Sequence, residues 1–245
     1  MGVILTAYLL SAVLLILFEG NLLYHPSAET KHTFHTEIYS IDNETLNVIV
    51  INSGMPKAII YFGGNAEAVV GNGINFTRIF PDHTVYLTNY RGFGGSSGTP
   101  REAELYSDAE YIYDRVANKH QQISIIGRSL GTGVATYIAA KRPVEKMVLV
   151  TPYDSIVSIA QDNYPLYPLS LLMRDQYNSA DRISEITCPT LVILADNDLV
   201  IPAKYSSQLL SQFPAEQVNV ETIKDSTHSN IVEKDRYLSL LAGYL

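Results

Sequence analysis

The chain has 245 residues, of which 47% are apolar and 17% charged, with 25 acids against 17 bases and one cysteine. That length suits a single α/β domain, and the apolar share excludes a disordered chain. A net charge of −8 without any cluster of Lys and Arg excludes nucleic acid as a partner, and the lone Cys188 cannot build a disulfide, a zinc cluster or a CxxC redox pair.

Residues 2–18 carry no charge, and as a helix they would span roughly 25 Å, short for a bilayer but within range. A secretory signal peptide would want a positive n-region and an Ala-x-Ala-like cleavage site, and neither is present. A helix packed on the domain would need a polar face, whereas this run is apolar all round. The expectation is a single-pass transmembrane helix over residues 1–20 that anchors the protein in a membrane, with residues 21–245 as the folded domain. The side of the membrane is not set, because the first basic residue, Lys31, follows well after the run. A myristoylation pattern at Met1-Gly2 and sequons at Asn43 and Asn75 are permissive matches with no weight of their own.

Strand-like segments near 34–40 and 45–52 suggest an antiparallel hairpin. Apolar runs of strand length then recur at 58–62, 85–87, 123–126, 147–150 and 191–194, as a sheet buried on both faces requires. Helical patterns lie between them, the clearest with Leu105, Ala109, Ile112 and Val116 on one face. Its start reads as a capping box, with Thr99 as cap, Pro100 at the first helical position and Glu102 at the third. Strands alternating with helices imply right-handed crossovers and a mostly parallel central sheet with helices on both faces.

The sharpest feature is Gly127-Arg128-Ser129-Leu130-Gly131-Thr132-Gly133, running from a buried strand into a helical segment at 134–141. This is the nucleophile-elbow arrangement, a serine exposed on a strained strand-to-helix turn. Gly127 and Gly131 are expected there because a Cβ would collide at so sharp a turn, and Gly133 to let the helix approach the sheet. A serine hydroxyl needs a base, and the elbow's chain order is Ser, acid, His. Of the six histidines only His228 follows Ser129; it lies in a polar loop after a strand at 218–223. The acid belongs after the penultimate strand, where Asp196 and Asp198 compete and the order cannot choose. Oxyanion donors are expected from the Leu130 N–H and from the loop Gly63-Gly64-Asn65.

Together these residues resemble the α/β-hydrolase superfamily, and within it the membrane-anchored branch of bud-emergence-homologue hydrolases and protein depalmitoylases. The resemblance covers about residues 20–245 and stands on Tyr61-Phe62-Gly63-Gly64-Asn65-Ala66, on the stretch from Asn89 to Pro100, on the Ser129 motif and on Tyr164-Pro165-Leu166-Tyr167-Pro168. It implies an α/β-hydrolase fold with a short cap at about 152–183. It implies Asp198 as the acid, four residues before Pro202, and Asn65 as the loop oxyanion donor. Gly63 departs from the family's common histidine, and Ala195 from a glycine that often precedes the acid.

The expected activity is that of a serine hydrolase cleaving carboxylic esters or thioesters through an acyl-enzyme. Ser129 attacks, His228 moves the proton, Asp198 orients the imidazole, and Leu130 with Asn65 holds the oxyanion. No metal or organic cofactor is required. The substrate would be an acyl ester or thioester, with a lipid or lipidated protein fitting the anchor and the apolar cap. A peptidase or amidase would use the same triad, and a non-catalytic binding protein on this fold is the alternative of another class.

Overall fold

The alternating apolar runs assemble into one eight-stranded sheet in the computed structural model, which describes residues 2–245. In chain order the elements begin with α1 (Gly2–Leu17), α2 (Glu19–Leu23), β1 (His35–Ile41), β2 (Glu44–Ile51), β3 (Lys57–Phe62), α3 (Gly73–Ile79), β4 (His83–Thr88) and α4 (Glu102–Ala117). There follow β5 (Gln122–Arg128), α5 (Leu130–Lys141), β6 (Met147–Val150), α6 (Ile156–Asn163), α7 (Leu169–Leu172), β7 (Thr190–Ala195), α8 (Ala203–Leu210), β8 (Val218–Ile223) and α9 (Asp235–Tyr244). The sheet order is β1-β2-β4-β3-β5-β6-β7-β8, with β1/β2 and β2/β4 antiparallel and every later pair parallel.

Alternation along the strands divides the core into two layers. Ile60 and Phe62 of β3 face a cluster that includes Leu105 and Ile112 of α4 and Val134 of α5, whereas Ile59 and Tyr61 face Phe76 of α3 and Leu241 of α9. Both faces of the central strands are therefore dry, as their continuous apolar sequence requires. The chain leaves β3 for β4 on one side and returns to β5 on the other. The loops after β3 and β5 consequently diverge at the carboxyl edge of the sheet, where such a reversal opens a crevice.

Two local expectations are corrected. Helix α4 starts at Glu102, not Pro100, and its cap residue Arg101 makes no side-chain capping bond. The Glu102 carboxylate has been recruited elsewhere, accepting the Gln176 N–H at 2.6 Å and pairing with Arg182 at 3.5 Å. Gly133 serves helix-to-loop packing more than helix-to-sheet packing: a Cβ there would lie 2.5 Å from the Tyr153 hydroxyl and 2.8 Å from the Tyr177 ring.

The expected transmembrane helix over residues 1–20 is also corrected, Met1 itself lying outside the described residues. Helix α1 has 16 residues, a length of ~24 Å against a hydrocarbon core of ~30 Å. No helix among the described residues is long and apolar enough to cross a membrane. The apolar run ends at Glu19, which is buried at 5% exposure and accepts the backbone N–H groups of Arg174 and Asp175 at 2.9 and 3.0 Å. Farther up, α1 lies on the segment between α6 and α7. The Tyr8 hydroxyl donates to the Leu166 carbonyl at 2.9 Å, its ring stacks on Tyr167 at 5.1 Å, and Ser11 Oγ meets the Tyr167 hydroxyl at 2.7 Å. Sparse as they are, these polar groups supply the contact that an all-apolar reading of the segment left out.

Tyr24, at 4% exposure, bonds Asp175 and Tyr177 at 2.9 Å each. Deleting residues 2–17 should leave the melting temperature within a few degrees of the full chain. Deleting residues 2–24 also removes Tyr24 and Glu19 from the interior and should lower it by roughly 10 °C. Thermal melts of the two truncations check this; equal melting temperatures would show that the two buried groups contribute little.

Candidate active site

Strand β5 ends at Arg128, and the chain turns at once into α5 through Ser129, whose backbone sits at φ 50° and ψ −119°. A residue with a Cβ enters that left-handed region only when its surroundings hold it there. The Ser129 N–H donates to the Val150 carbonyl at 2.9 Å, and the Ser129 carbonyl accepts Thr132 N–H and Oγ1–H at 2.9 and 2.7 Å. The flanking glycines make room. A Cβ on Gly127 would lie 2.5 Å from the Gly131 carbonyl oxygen, and one on Gly131 would overlap the carbonyl of Phe62.

The structure brings Ser129, His228 and Asp198 into one hydrogen-bonded line. His228 Nε2 lies 2.8 Å from Ser129 Oγ, and His228 Nδ1 lies 2.8 Å from Asp198 Oδ2. The imidazole is 12% exposed and the carboxylate 6%, so one edge of the line meets solvent while its acid is enclosed. Asp198 is fixed from behind, its Oδ1 accepting the N–H groups of Val200 and Ile201 at 2.9 and 2.7 Å.

Asp196 takes the other direction. Its two oxygens accept the Asp225 and Ser226 N–H groups at 2.9 Å each, so it ties the loop that carries His228 without touching the imidazole. Those two amides, that of Ser226 foremost, hold the Asp196 carboxyl below its ordinary range.

Leu130 is the first residue of α5, where N–H groups have no partner inside the helix. Asn65 lies in the loop after β3 with its side chain committed elsewhere: Nδ2 donates to the Leu23 carbonyl at 2.6 Å and Oδ1 accepts the His25 N–H at 2.8 Å. What it can offer a substrate is its backbone N–H. The loop is close to the serine, since a Cβ on neighbouring Gly64 would lie 3.5 Å from Ser129 Cβ. Sequence reasoning gave no role to Glu67 or Arg128, which form a buried ion pair beside this loop at 3.0 Å. Their only signal was the presence of charge inside otherwise uncharged motifs.

The cap comprises α6, α7 and a 3-10 turn at Ala180–Glu185. Between α6 and the N-terminal helices lies an apolar cavity of about 270 Å³, lined among others by Leu15, Leu22, Leu23, Ile156 and Ile159. Leu23 is the residue whose carbonyl holds Asn65, which connects the cavity wall to the loop after β3.

Comparison with known proteins agrees with this architecture. A family model described as the alpha/beta hydrolase fold matches residues 47–170. An uncharacterized protein of Mycobacterium tuberculosis is 35% identical over 172 residues, covering 65% of this chain; the match spans 59% of that relative's length. Protein bem46 of Schizosaccharomyces pombe is 25% identical over 85% of this chain and 75% of its own. The lysophosphatidylserine lipase ABHD12 of Danio rerio is 26% identical over 62% of this chain and 46% of its own. Among solved structures, the Pyrococcus furiosus esterase Pf2001 superposes with a TM-score of 0.68 at 18% identity, covering 91% of this chain and 96% of that one.

The depressed Asp196 carboxyl fixes the sign of a pH effect. Its hold on the histidine loop is present above the unfolded carboxylate range and is lost as pH falls through the lower folded value. Exchange protection of the Asp225 and Ser226 amides should therefore exceed that in Asp196→Ala at pH 7, and the gap should close only as pH falls below the ordinary aspartate range. Hydrogen exchange followed by NMR measures both; a gap independent of pH would mean that the carboxylate is not the restraint.

Proposed function

We propose, on the premise that the chain belongs to the α/β-hydrolase fold family, that it is a serine hydrolase cleaving carboxylic ester or thioester bonds through an acyl-enzyme. The observation that carries the reading is the unbroken line from Asp198 through His228 to Ser129, with both contacts at 2.8 Å. Ser129 Oγ attacks the substrate carbonyl as its proton passes to His228 Nε2. The tetrahedral intermediate collapses when the imidazolium returns that proton to the departing alcohol or thiol. Water then repeats the sequence on the acyl-enzyme and frees the acid.

Asp198 holds Nδ1–H, fixing the tautomer that leaves Nε2 able to accept. The N–H groups of Leu130 and Asn65 receive the negative oxygen, being fixed dipoles that need no rearrangement as charge develops.

The proposed substrates carry an apolar acyl group. The cavity beside Leu23 supports this, as does the lipase among the relatives. Helix α1 exposes Val3, Ile4, Leu10 and Leu17, and Leu166 stands exposed where the Tyr8 hydroxyl meets it. That surface suits contact with lipid lying along the bilayer interface, without crossing it.

A fluorophosphonate probe should label Ser129, and Ser129→Ala should abolish labelling and turnover while preserving the fold. Asp198→Asn should lower kcat by about 10⁴, and Asp196→Asn by less than roughly tenfold, since only the former touches the imidazole. Esters of lengthening acyl chain, with amide counterparts, then test the substrate class. Turnover by pure Ser129→Ala at the wild-type rate would falsify the assignment, and faster cleavage of amides than esters would move the activity to a peptidase.

A further inference from the structure

Glu67 follows Gly64 by three residues and Arg128 directly precedes Ser129, yet neither hydrogen-bonds the side chains of Asp198, His228 or Ser129. Their side chains are 10% and 11% exposed, with Arg128 Nη1 3.0 Å from Glu67 Oε2. The same Oε2 accepts the Gly64 N–H at 2.6 Å. Oε1 accepts the Tyr61 hydroxyl at 2.7 Å and the Asn72 amide at 2.8 Å. On its other side Arg128 Nη2 donates to the carbonyls of His228 and Ser229 at 3.1 and 3.5 Å. Three separate loops thus meet on two side chains: the loop after β3, the turn at Ser129 and the loop bearing His228.

Burial pushes the Glu67 carboxyl up, but Arg128 and the hydrogen bonds from Gly64, Tyr61 and Asn72 outweigh it and hold the group below the usual carboxylate range. Burial likewise disfavours charge on Arg128, and Glu67 more than offsets it. The pair is ionised at neutral pH.

We propose that Glu67 and Arg128 are positioning residues that set the oxyanion loop, the nucleophile turn and the histidine loop in one frame. The inference rests on the serine-hydrolase reading above. Stability alone is a poor reason for the pair, because two buried charges lose hydration that an apolar pair of equal volume would not. Geometry supplies a better one. With the Gly64 N–H committed to Glu67, the N–H left to the substrate from this loop is that of Asn65. Gly63, where the resembling family commonly has histidine, has no room for a side chain: a Cβ would lie 2.5 Å from Val69 Cγ1 and 3.3 Å from Glu67 Oε2. The loop is braced here by the Glu67 carboxylate instead.

That brace carries an electrostatic condition. A carboxylate beside the oxyanion loop opposes the negative charge of the tetrahedral intermediate unless a cation neutralises it. Arg128 does so, while its Nη2 donates to the histidine loop. Loss of Arg128 should therefore harm catalysis more than loss of both residues together.

The test uses the full chain carrying Glu67→Gln, Arg128→Met, Arg128→Lys or the Glu67→Gln/Arg128→Met pair, with p-nitrophenyl butyrate as substrate and the fluorophosphonate probe as a second readout. Glu67→Gln should lower kcat by about 10²-fold with KM within roughly threefold, as expected for misplaced donors. Arg128→Met should lower it further, the double variant should recover part of that loss, and Arg128→Lys should fall between Arg128→Met and wild type. Melts confirm which variants are folded; if one single variant does not fold, the double variant and Arg128→Lys still decide. Folded Glu67→Gln with kcat within twofold of wild type, or losses that multiply in the double variant, overturn the inference. If folded wild type is not labelled at Ser129, the serine-hydrolase reading fails and this one with it. If wild type and Glu67→Gln are labelled at the same rate, only this one fails.

Discussion

The turn at Ser129 is the constraint on which the remaining geometry depends. A non-glycine residue at φ 50° carries strain on the order of 1–3 kcal/mol, which surrounding structure must hold in place. The restraints come from three directions: Val150 of β6 accepts its N–H, Thr132 of α5 binds its carbonyl twice, and the carbonyl of Phe62 at the end of β3 packs where Gly131 has no side chain. The Ser129 conformation is thus set by two strands and a helix. The dry packing of both sheet faces is what keeps those strands in register.

Much of this was legible from the chain. Continuous apolar runs marked the central strands, the motif from Gly127 to Gly133 marked Ser129, and chain order singled out His228 because one histidine alone follows the serine. Between Asp196 and Asp198 chain order alone could not choose, and the reason is physical. Their directions are decided by the amides of Val200 and Ile201 for one and of Asp225 and Ser226 for the other, and no local pattern announces which backbone N–H will be near. The misread capping box has the same origin, since Glu102 answers to Gln176, 74 residues away. So does the N-terminal run, whose hydropathy was plain but whose end at Glu19 is tied to amides at 174 and 175. Local sequence reports propensity and burial; long-range polar partners override it where they occur.

These overrides converge on one region. Glu19 and Tyr24 bind the stretch around Asp175, while Leu23 and His25 bind the side chain of Asn65. Residues 19–25 therefore connect the cap to the loop after β3, so a shift of α1 on the cap would be felt at the proposed oxyanion donor. The segment that hydropathy marks as a membrane anchor is, at its inner end, part of the frame around the site.

Charge balance explains why that frame includes a buried cation. In the proposed reaction, formation of the tetrahedral intermediate creates an oxyanion and an imidazolium together. Asp198 already faces the imidazole, so the new positive charge arises beside an existing negative one. The new negative charge has no such partner in the proposed triad, and the chain as a whole carries −8. Most of that excess lies on exposed groups, which salt screens within about 8 Å at physiological ionic strength. Glu67 is different, because it is enclosed and its Oε2 touches the oxyanion loop at Gly64. Like Asp198 it is shielded from solvent, and Arg128 at 3.0 Å is what cancels it. The fixed N–H dipoles of Leu130 and Asn65 can then act on the developing anion in a locally neutral setting, which is the condition under which such dipoles are worth most.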